Sequence, residues 1–251
     1  MRTIFSYIIL LLCTGLVHVE VLEIQSNGAS TMCLLKNLSW SAHEHFTSIL
    51  SSKTIKLEDY PNLLVDLDST RIKLNAEKRL GSSGEILSYL IADSLAPYWV
   101  GTPWNFNGIS RQPQTGSIAC GYFVFGLLED AGFNIARVKL SQAASETAIK
   151  AIVEEEHIKR YRQKSIEDFV EAMKEWGDGI YLVGLDYHIA MIQVKGDKCH
   201  MIHSSVYHPG TVVIEDAAES LALIYTDYRV VGKLNNQQTF QGWLEGRYFG
   251  L

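Results

Sequence analysis

The sequence predicts an α+β fold, in which helices come first and an antiparallel sheet follows. Between Cys33 and about Trp176, most apolar residues recur at the spacing of a helix face. From Gly179 onward the chain changes to short runs of β-branched and apolar residues, with a turn signal at Gly196-Asp197. Helices followed by a meander of strands are typical of an α+β domain.

Composition and charge are those of an ordinary globular protein. Of the 251 residues, 47% are hydrophobic and 20% are charged, which does not favour disorder. The formal net charge of -6 comes from 28 acidic and 22 basic side chains, without a basic block that could follow a phosphate backbone. Nucleic acid is therefore not expected as a partner.

The first residues have the pattern of a secretory signal peptide. Arg2 supplies the positive charge, and an apolar run follows from Ile4 to Leu12. We predict a signal peptide over 1–24. Its apolar run is too short to span a bilayer, so no membrane-spanning segment is expected in the mature chain. The protein is expected to be exported, to the periplasm or the extracellular space. Lipid attachment at Cys13 is the less favoured alternative, because Leu12 stands where such signals have a small residue.

Three cysteines remain after removal of the signal peptide: Cys33, Cys120 and Cys199. Because the number is odd, at least one thiol stays free or pairs between chains in an oxidising compartment. Cys33 and Cys199 are candidates for a disulfide, but the sequence does not bring their Cα atoms within bridging distance. Cys120 is the thiol whose neighbouring residues indicate a chemical role.

Helical structure is predicted in the part of the chain that precedes Cys120. Residues 25–84 are expected to form a helical N-terminal extension, with interruptions at Pro61 and around 81–84. A further helix is predicted from Glu85 to Ala96, where apolar residues share one face. It leads into the segment GTPWNFNG at 101–108.

A central helix is predicted from Ile118 to Ala131, with Ser117 as its N-cap and Gly132 as its end. Its apolar residues point in almost all directions, so it should be buried. Cys120 then lies in the first turn, where free amide groups and the helix dipole favour a thiolate. A buried cysteine that only fills space is the alternative.

The remaining elements include a predicted helical insertion over about 142–176. It consists of two helices, Gln142 to Arg160 and Ile166 to Trp176, the second capped by Ser165. The predicted strand segments are Gly179 to Val194, Cys199 to Val206, Thr211 to Ile214 and Tyr228 to Leu234.

Two histidines are predicted to meet on this sheet. If the Gly196-Asp197 loop has even length, Val194 faces Cys199 and Ala190 faces His203. Alternation along the strand puts His188 on the same face as Ala190, diagonal to His203. His203 can then hold one ring nitrogen of His188 while the other takes a proton from sulfur. A three-residue loop would send the two rings to opposite faces.

A metal site is an alternative use of the same region. Cys199, His200, His203 and His208 are residue types that bind zinc. However, Cys199 and His200 point to opposite faces of a strand, so the sequence predicts no metal and no cofactor.

Four segments in order resemble one known family. They are GTPWNFNG (101–108), SIACGYFVFGLLEDAGF (117–133), YHIAMIQV (187–194) and MIHSS (201–205). They are similar to the G-T-P-Y-x-Y-G-G motif, the D-C-S-G-F-V nucleophile helix, the H-V-G-I-Y strand and the I-H-A-S strand of the NlpC-type cell-wall peptidases. These are papain-like cysteine hydrolases of bacteria. The resemblance covers about Glu85 to Leu234.

The resemblance implies an NlpC-like papain-fold catalytic domain over 85–251 that cleaves an amide bond in peptidoglycan stem peptides. By this analogy Cys120 attacks the carbonyl, His188 accepts and returns the proton, and His203 orients His188. The backbone N–H of Cys120 helps to hold the oxyanion. Trp104 matches a tyrosine of the family beside the nucleophile.

The sequence also departs from the family pattern. Ala119 replaces the aspartate before the cysteine, Gly121 replaces the serine after it, and Asn107 replaces the first glycine of the G-G pair. These departures leave two alternatives to a wall peptidase. One is a non-catalytic cell-wall binding module with the same fold. The other is a thiol acyltransferase or amide hydrolase that acts on a substrate outside the wall.

Overall fold

The structure, a computed structural model, describes residues 56–76 and 83–251. The predicted signal peptide over 1–24 lies outside the described residues, as do Cys13, Cys33 and most of the predicted extension over 25–84. Helical structure is confirmed for the described part of that extension, where Leu57–Asp59 forms a 3₁₀-helix and helix α1 spans Tyr60–Ala76. Helix α1 belongs to the same compact unit as the rest of the described chain.

The helix predicted from Glu85 to Ala96 is confirmed, but its middle is wound differently. Helix α2 spans Ser83–Ser88, a π-helix spans Tyr89–Leu95, and helix α3 spans Ala96–Trp99. The amide of Ala96 donates to the carbonyl of Ile91, five residues back. The next residue, Pro97, has no amide hydrogen to continue an α-helical ladder. None of the helices in residues 56–76 and 83–251 is both long and apolar enough to cross a membrane.

The predicted central helix is confirmed as α4, which spans Cys120–Asp130; it begins two residues after the predicted start of about Ile118, and the predicted cap at Ser117 was wrong. The physical reason is non-local. The amide of Ile118 donates to Pro103 and that of Ala119 to Gly108, which keeps both residues in an extended segment until the helix begins. The predicted end is confirmed: Gly132 has a φ of +88° and the amide of Phe133 donates to Leu128.

The prediction of one helix from Gln142 to Arg160 was wrong. Helices α5 and α6 span Arg137–Gln142 and Ser145–Lys150, a 3₁₀-helix spans Glu155–His157, and strand β2 spans Ile158–Arg162. Strand β2 pairs with a later strand at the edge of the main sheet, mostly with exposed polar residues. Exposed polar residues are compatible with a solvated helix and with an edge strand. The pairing with the later strand therefore determines that this segment is a strand.

The predicted insertion over about 142–176 is therefore only partly helical. Its second helix is confirmed as α7, which spans Ile166–Trp176. The Ser165 hydroxyl accepts from the amide of Asp168 at 3.1 Å, as a capping residue does.

The predicted antiparallel sheet is confirmed and contains six strands among the described residues. Besides β2, they are β3 Gly179–Gly184, β4 Ile189–Lys195, β5 Lys198–Ser204, β6 Val212–Asp216 and β7 Tyr228–Lys233. Their order in the sheet is β2-β7-β3-β4-β5-β6. The segment predicted from Gly179 to Val194 is two strands joined at Leu185, whose amide donates to His188.

A second, two-stranded parallel sheet pairs β1, Asn134–Ile135, with β8, Tyr248–Phe249. Helices α8 and α9 span Leu221–Ile224 and Gln237–Leu244.

The predicted register of the β4–β5 hairpin is confirmed. Val194 pairs with Cys199 and Met191 with Ile202, across the two-residue turn Gly196-Asp197. The same register, extended by one residue, brings His203 opposite Ala190. Helix α4 packs against β4 and β5, and Phe123, Phe125 and other apolar residues of the helix are fully buried. The start of helix α4 is therefore held next to the strands that carry the histidines.

Candidate active site

A cavity of about 840 Å³ lies at the start of helix α4. The four side chains that the sequence analysis singled out, Cys120, His188, His203 and Trp104, all line it. They come from the first turn of α4, the start of β4, the end of β5 and the segment after α3. The structure thus brings all four predicted residues to one cavity, although they are separated by up to a hundred positions in the chain.

Cys120 is the first residue of helix α4 and its side chain is partly exposed. The first four amides of an α-helix have no acceptor within the helix, so the amide of Cys120 is available to a bound oxygen. Cys199 is a free thiol of a different kind, because it is buried and burial raises its pKa to about 12. Of these two thiols, only Cys120 is accessible to a substrate.

Hydrogen bonds with two segments fix the start of helix α4. The Ser204 hydroxyl on β5 donates to the carbonyl of Ile118 at 2.8 Å, in a buried position. The amide of Ala119 donates to Gly108 at 2.8 Å. Gly108 has to be glycine, since a Cβ atom there would lie 2.5 Å from the nitrogen of Ile118. The segment GTPWNFNG therefore supports the backbone just before Cys120.

The departure at Gly121 has a steric cause. A Cβ atom at this position would lie 2.4 Å from the carbonyl oxygen of Ser141, in the last turn of helix α5. Neither serine nor alanine fits here without a shift of one backbone. The close approach of helix α5 brings Ser141 and Gln142 to the cavity wall beside the cysteine.

His188 and His203 form the predicted pair. The Nε2 atom of His188 lies 2.9 Å from the Nδ1 atom of His203, and the rings meet edge to face at 5.1 Å between centroids. The prediction that they are diagonal neighbours on the hairpin is confirmed, while their catalytic roles stay a prediction.

The chain of hydrogen bonds continues to a residue that the sequence analysis missed. Glu215 on β6 has its Oε1 atom 3.0 Å from Nε2 of His203. Glu215 pairs in register with Met201, two residues before His203 on the same strand face. The diagonal argument that links the two histidines would also have found Glu215, had the register of β6 been known.

The charge state of Glu215 sets the direction of these hydrogen bonds. Burial raises its pKa, but the hydrogen bonds from His203 and Ser220 outweigh this, so its pKa is lowered overall. An ionised carboxylate can only accept, so Nε2 of His203 donates. In a neutral ring the Nδ1 atom of His203 then accepts from Nε2 of His188. The Nδ1 atom of His188 is left with its lone pair.

His188 is kept neutral by its surroundings. Burial, and then the neighbouring His203, lower its pKa well below the usual value for histidine. A neutral imidazole with one nitrogen held and the other unprotonated is the form that a general base requires.

Trp104, which the motif resemblance aligns with a tyrosine of the NlpC-type peptidases, lines the cavity. Its amide donates to the carbonyl of Gly210 at 2.8 Å, and its backbone bridges to Ile118. This contact ties the indole to the segment that precedes the nucleophile. An indole N–H can donate one hydrogen bond but has no hydroxyl to ionise.

Within residues 56–76 and 83–251, no group of three or more His, Cys, Asp or Glu side chains is arranged to hold a metal ion. A scan against protein-family models finds no match to the chain, and searches of curated proteins and solved structures find none either. The resemblance to the NlpC-type peptidases therefore rests on the four motifs alone.

Proposed function

We propose that this protein is a cysteine hydrolase of papain-like design that cleaves an amide bond, with Cys120 as nucleophile, His188 as base and His203 as the group that orients the base. One observation carries the proposal. An accessible cysteine at a helix start lines the same cavity as two hydrogen-bonded histidines, and the second histidine is hydrogen-bonded to a carboxylate. This combination of nucleophile, base and orienting group is the usual requirement for thiol-mediated acyl transfer.

The first half-reaction forms a thioester. Nδ1 of His188 accepts the thiol proton of Cys120, and the sulfur attacks the carbonyl carbon of the substrate. The negative charge that develops on the carbonyl oxygen is stabilised by the amide of Cys120 at the helix start. His188 then gives its proton to the leaving nitrogen, the C–N bond breaks, and an amine departs.

The second half-reaction consumes one water. Nδ1 of His188 accepts a proton from the water, whose oxygen attacks the thioester carbon. The C–S bond breaks, the acid is released, and the proton returns to the sulfur of Cys120. The net reaction converts an amide and water to an acid and an amine, and the enzyme is unchanged.

Two specific expectations belong to this proposal: a peptidoglycan stem peptide as substrate, from the motif resemblance, and export as location, from the signal-peptide pattern. Both rest on sequence patterns alone. A thiol acyltransferase would use the same residues, with an acceptor amine or alcohol in place of water. Mass analysis of products formed with and without added amines separates the two reactions.

Acylation of Cys120 tests the proposal. The protein is incubated with an activated ester such as 4-nitrophenyl acetate, and its peptides are analysed by mass spectrometry. We expect the acyl group on the peptide that contains Cys120, a burst of nitrophenol, and loss of both in Cys120→Ala. Cys199→Ser is the matched control, because that buried thiol has no role in the proposal, and it should keep the burst.

The binding-module alternative predicts a different result. A thiol at Cys120 that reacts with iodoacetamide no faster than glutathione, together with no burst, would rule out the hydrolase. Cleavage that persists in Cys120→Ala would also rule it out.

A further inference from the structure

The walls of the cavity carry little charge. Apart from the two histidines, the lining set within the described residues contains one carboxylate, Asp186, and neither lysine nor arginine. A carboxylate group on a substrate would therefore find no cation in this cavity. Leaving an anion without a counter-charge in a partly desolvated site is costly.

Asp186 itself repels anions. Its Oδ2 atom accepts hydrogen bonds from the Thr226 hydroxyl at 2.8 Å and from the amide of Asp227 at 2.9 Å. These hydrogen bonds lower the pKa of Asp186, so the group stays negative over the neutral range. The single fixed charge of the cavity wall therefore has the same sign as a carboxylate substrate.

Aromatic side chains make up much of the remaining wall. Three of them are unusually exposed for apolar rings: Tyr187 at 100%, Phe106 at 80% and Tyr225 at 72%. Three further rings complete the aromatic lining: Trp104, Tyr122 and Tyr207. Clustered exposed apolar groups around a cavity are typical of a binding surface for an apolar group.

We infer that this cavity selects substrates whose acyl group next to the scissile carbonyl is uncharged and apolar, aromatic or aliphatic, and that it discriminates against carboxylate-bearing acyl groups. The inference rests on the proposed hydrolase function and narrows its substrate class. It also departs from the stem-peptide bond that the motif resemblance implies, commonly the one between D-glutamate and a diamino acid, because both of these residues carry free carboxylates. The aromatic walls supply contact area for the acyl group, and Asp186 supplies the discrimination.

Matched anilides test the selectivity directly. The two probes are 3-phenylpropanoyl 4-nitroanilide and succinyl 4-nitroanilide, which share the chain length but end in a phenyl ring or a carboxylate. We expect kcat/KM for the phenyl probe to exceed that for the succinyl probe by about 10-fold or more, the scale at which a pocket discriminates one group. Both activities should vanish in Cys120→Ala.

A pair of charge insertions tests the cause of the selectivity. Val206 lines the cavity and is 53% exposed, while Val138 on helix α5 is 49% exposed and does not line it. Val206→Lys should raise the ratio of succinyl to phenyl turnover by about 10-fold, because it supplies the missing cation. Val138→Lys adds the same charge outside the cavity and should leave the ratio unchanged.

Tyr225→Ser should lower turnover of the phenyl probe alone, with Tyr248→Ser as its control.

The outcomes separate this inference from the proposed function. Turnover that depends on Cys120 but favours the succinyl probe would overturn the inference and leave the hydrolase intact. Absence of Cys120-dependent turnover for every probe would contradict the hydrolase. In that case calorimetric titration of the Cys120→Ala protein with 3-phenylpropanamide and succinamate still decides the inference, which predicts tighter binding of the neutral amide and fails if the anion binds as tightly.

Discussion

At the residue scale, Glu215 ends a directional chain of hydrogen bonds. Its carboxylate accepts from His203, so His203 presents an acceptor to His188, and the free nitrogen of His188 is the unprotonated one. Glu215 does not line the cavity. We regard it as a positioning residue, which acts on the substrate only through the two rings.

Glu215→Gln should lower kcat/KM by about 10- to 100-fold with little change in KM, because an amide can donate as well as accept and no longer fixes the tautomer of His203. The measurement is steady-state kinetics on the phenyl probe over a range of pH. Glu219→Gln, an exposed glutamate on the same connection, is the control. Glu215→Asp should recover part of the activity, and an unchanged rate in Glu215→Gln would contradict the positioning role.

The lowered pKa of His188 makes a prediction about pH. Catalysis requires the neutral ring, and a pKa lowered by burial and by His203 means that the ring stays neutral to more acidic pH than a free histidine with its value of 6.5. The acid limb of the kcat/KM profile should therefore lie below pH 6.5. An acid limb at or above that value would show that the burial of His188 does not govern its titration.

At the element scale, the start of helix α4 depends on contacts that are distant in sequence. The sequence predicted the end of the helix at Gly132 because that signal is local. It did not predict the start at Cys120, because Ile118 and Ala119 are held extended by hydrogen bonds that they donate to the carbonyls of Pro103 and Gly108, in another segment. The two-residue turn of the β4–β5 hairpin is also local, and its register was predictable for that reason.

The structure of strand β2, unlike the hairpin turn, is not determined by local sequence. Its residues lie at the edge of the sheet and alternate weakly, so their strand state comes from pairing with β7, about 70 residues later. Glu215 was missed for a related reason, because β5 ends at Ser204 and β6 begins at Val212, and a connection of this length does not fix the register as a two-residue turn does.

Gly121→Ala should destabilise the fold by about 1 to 3 kcal/mol, since the added methyl group would overlap the carbonyl of Ser141. Gly126→Ala in the same helix is the matched control. There the nearest atom to an added Cβ is Nε of the Arg137 side chain at 3.4 Å, so the change should be neutral or slightly stabilising. Urea unfolding of both variants measures the difference, and equal midpoints would refute the steric argument.

At the scale of the whole molecule, a small network joins helix α1 to the far end of the nucleophile helix. The Tyr60 hydroxyl on α1 donates to Asp130 at 2.6 Å, and the indole of Trp99 donates to the same hydroxyl at 2.9 Å. Burial raises the pKa of Asp130 to about 6, despite the hydrogen bond from Tyr60. The sequence predicted helices in this region but gave no sign that they meet at a titrating carboxyl.

This network predicts a pH dependence of stability. Because the pKa of Asp130 is raised on folding, its stabilising contribution is fully present below the ordinary value of 3.8 and is lost as pH rises through about 6. Relative to Asp130→Asn, the wild-type protein should gain about 1 to 3 kcal/mol between pH 7.5 and pH 4.5. Urea unfolding at both values measures this. Asp197→Asn, in the exposed hairpin turn, should show no such difference, and parallel curves for wild type and Asp130→Asn would exclude the effect.

The position of strand β6 at the end of the sheet has a consequence for regulation of the site. Gly101 and Thr102 bind the beginning of this strand, near Val212, whereas Glu215 lies close to its other end. A terminal strand opens at a lower free energy than the centre of a sheet. Fraying there would detach the carboxylate from His203 while the thiol and both imidazoles remain in their cleft, so the protein could be folded and yet chemically idle.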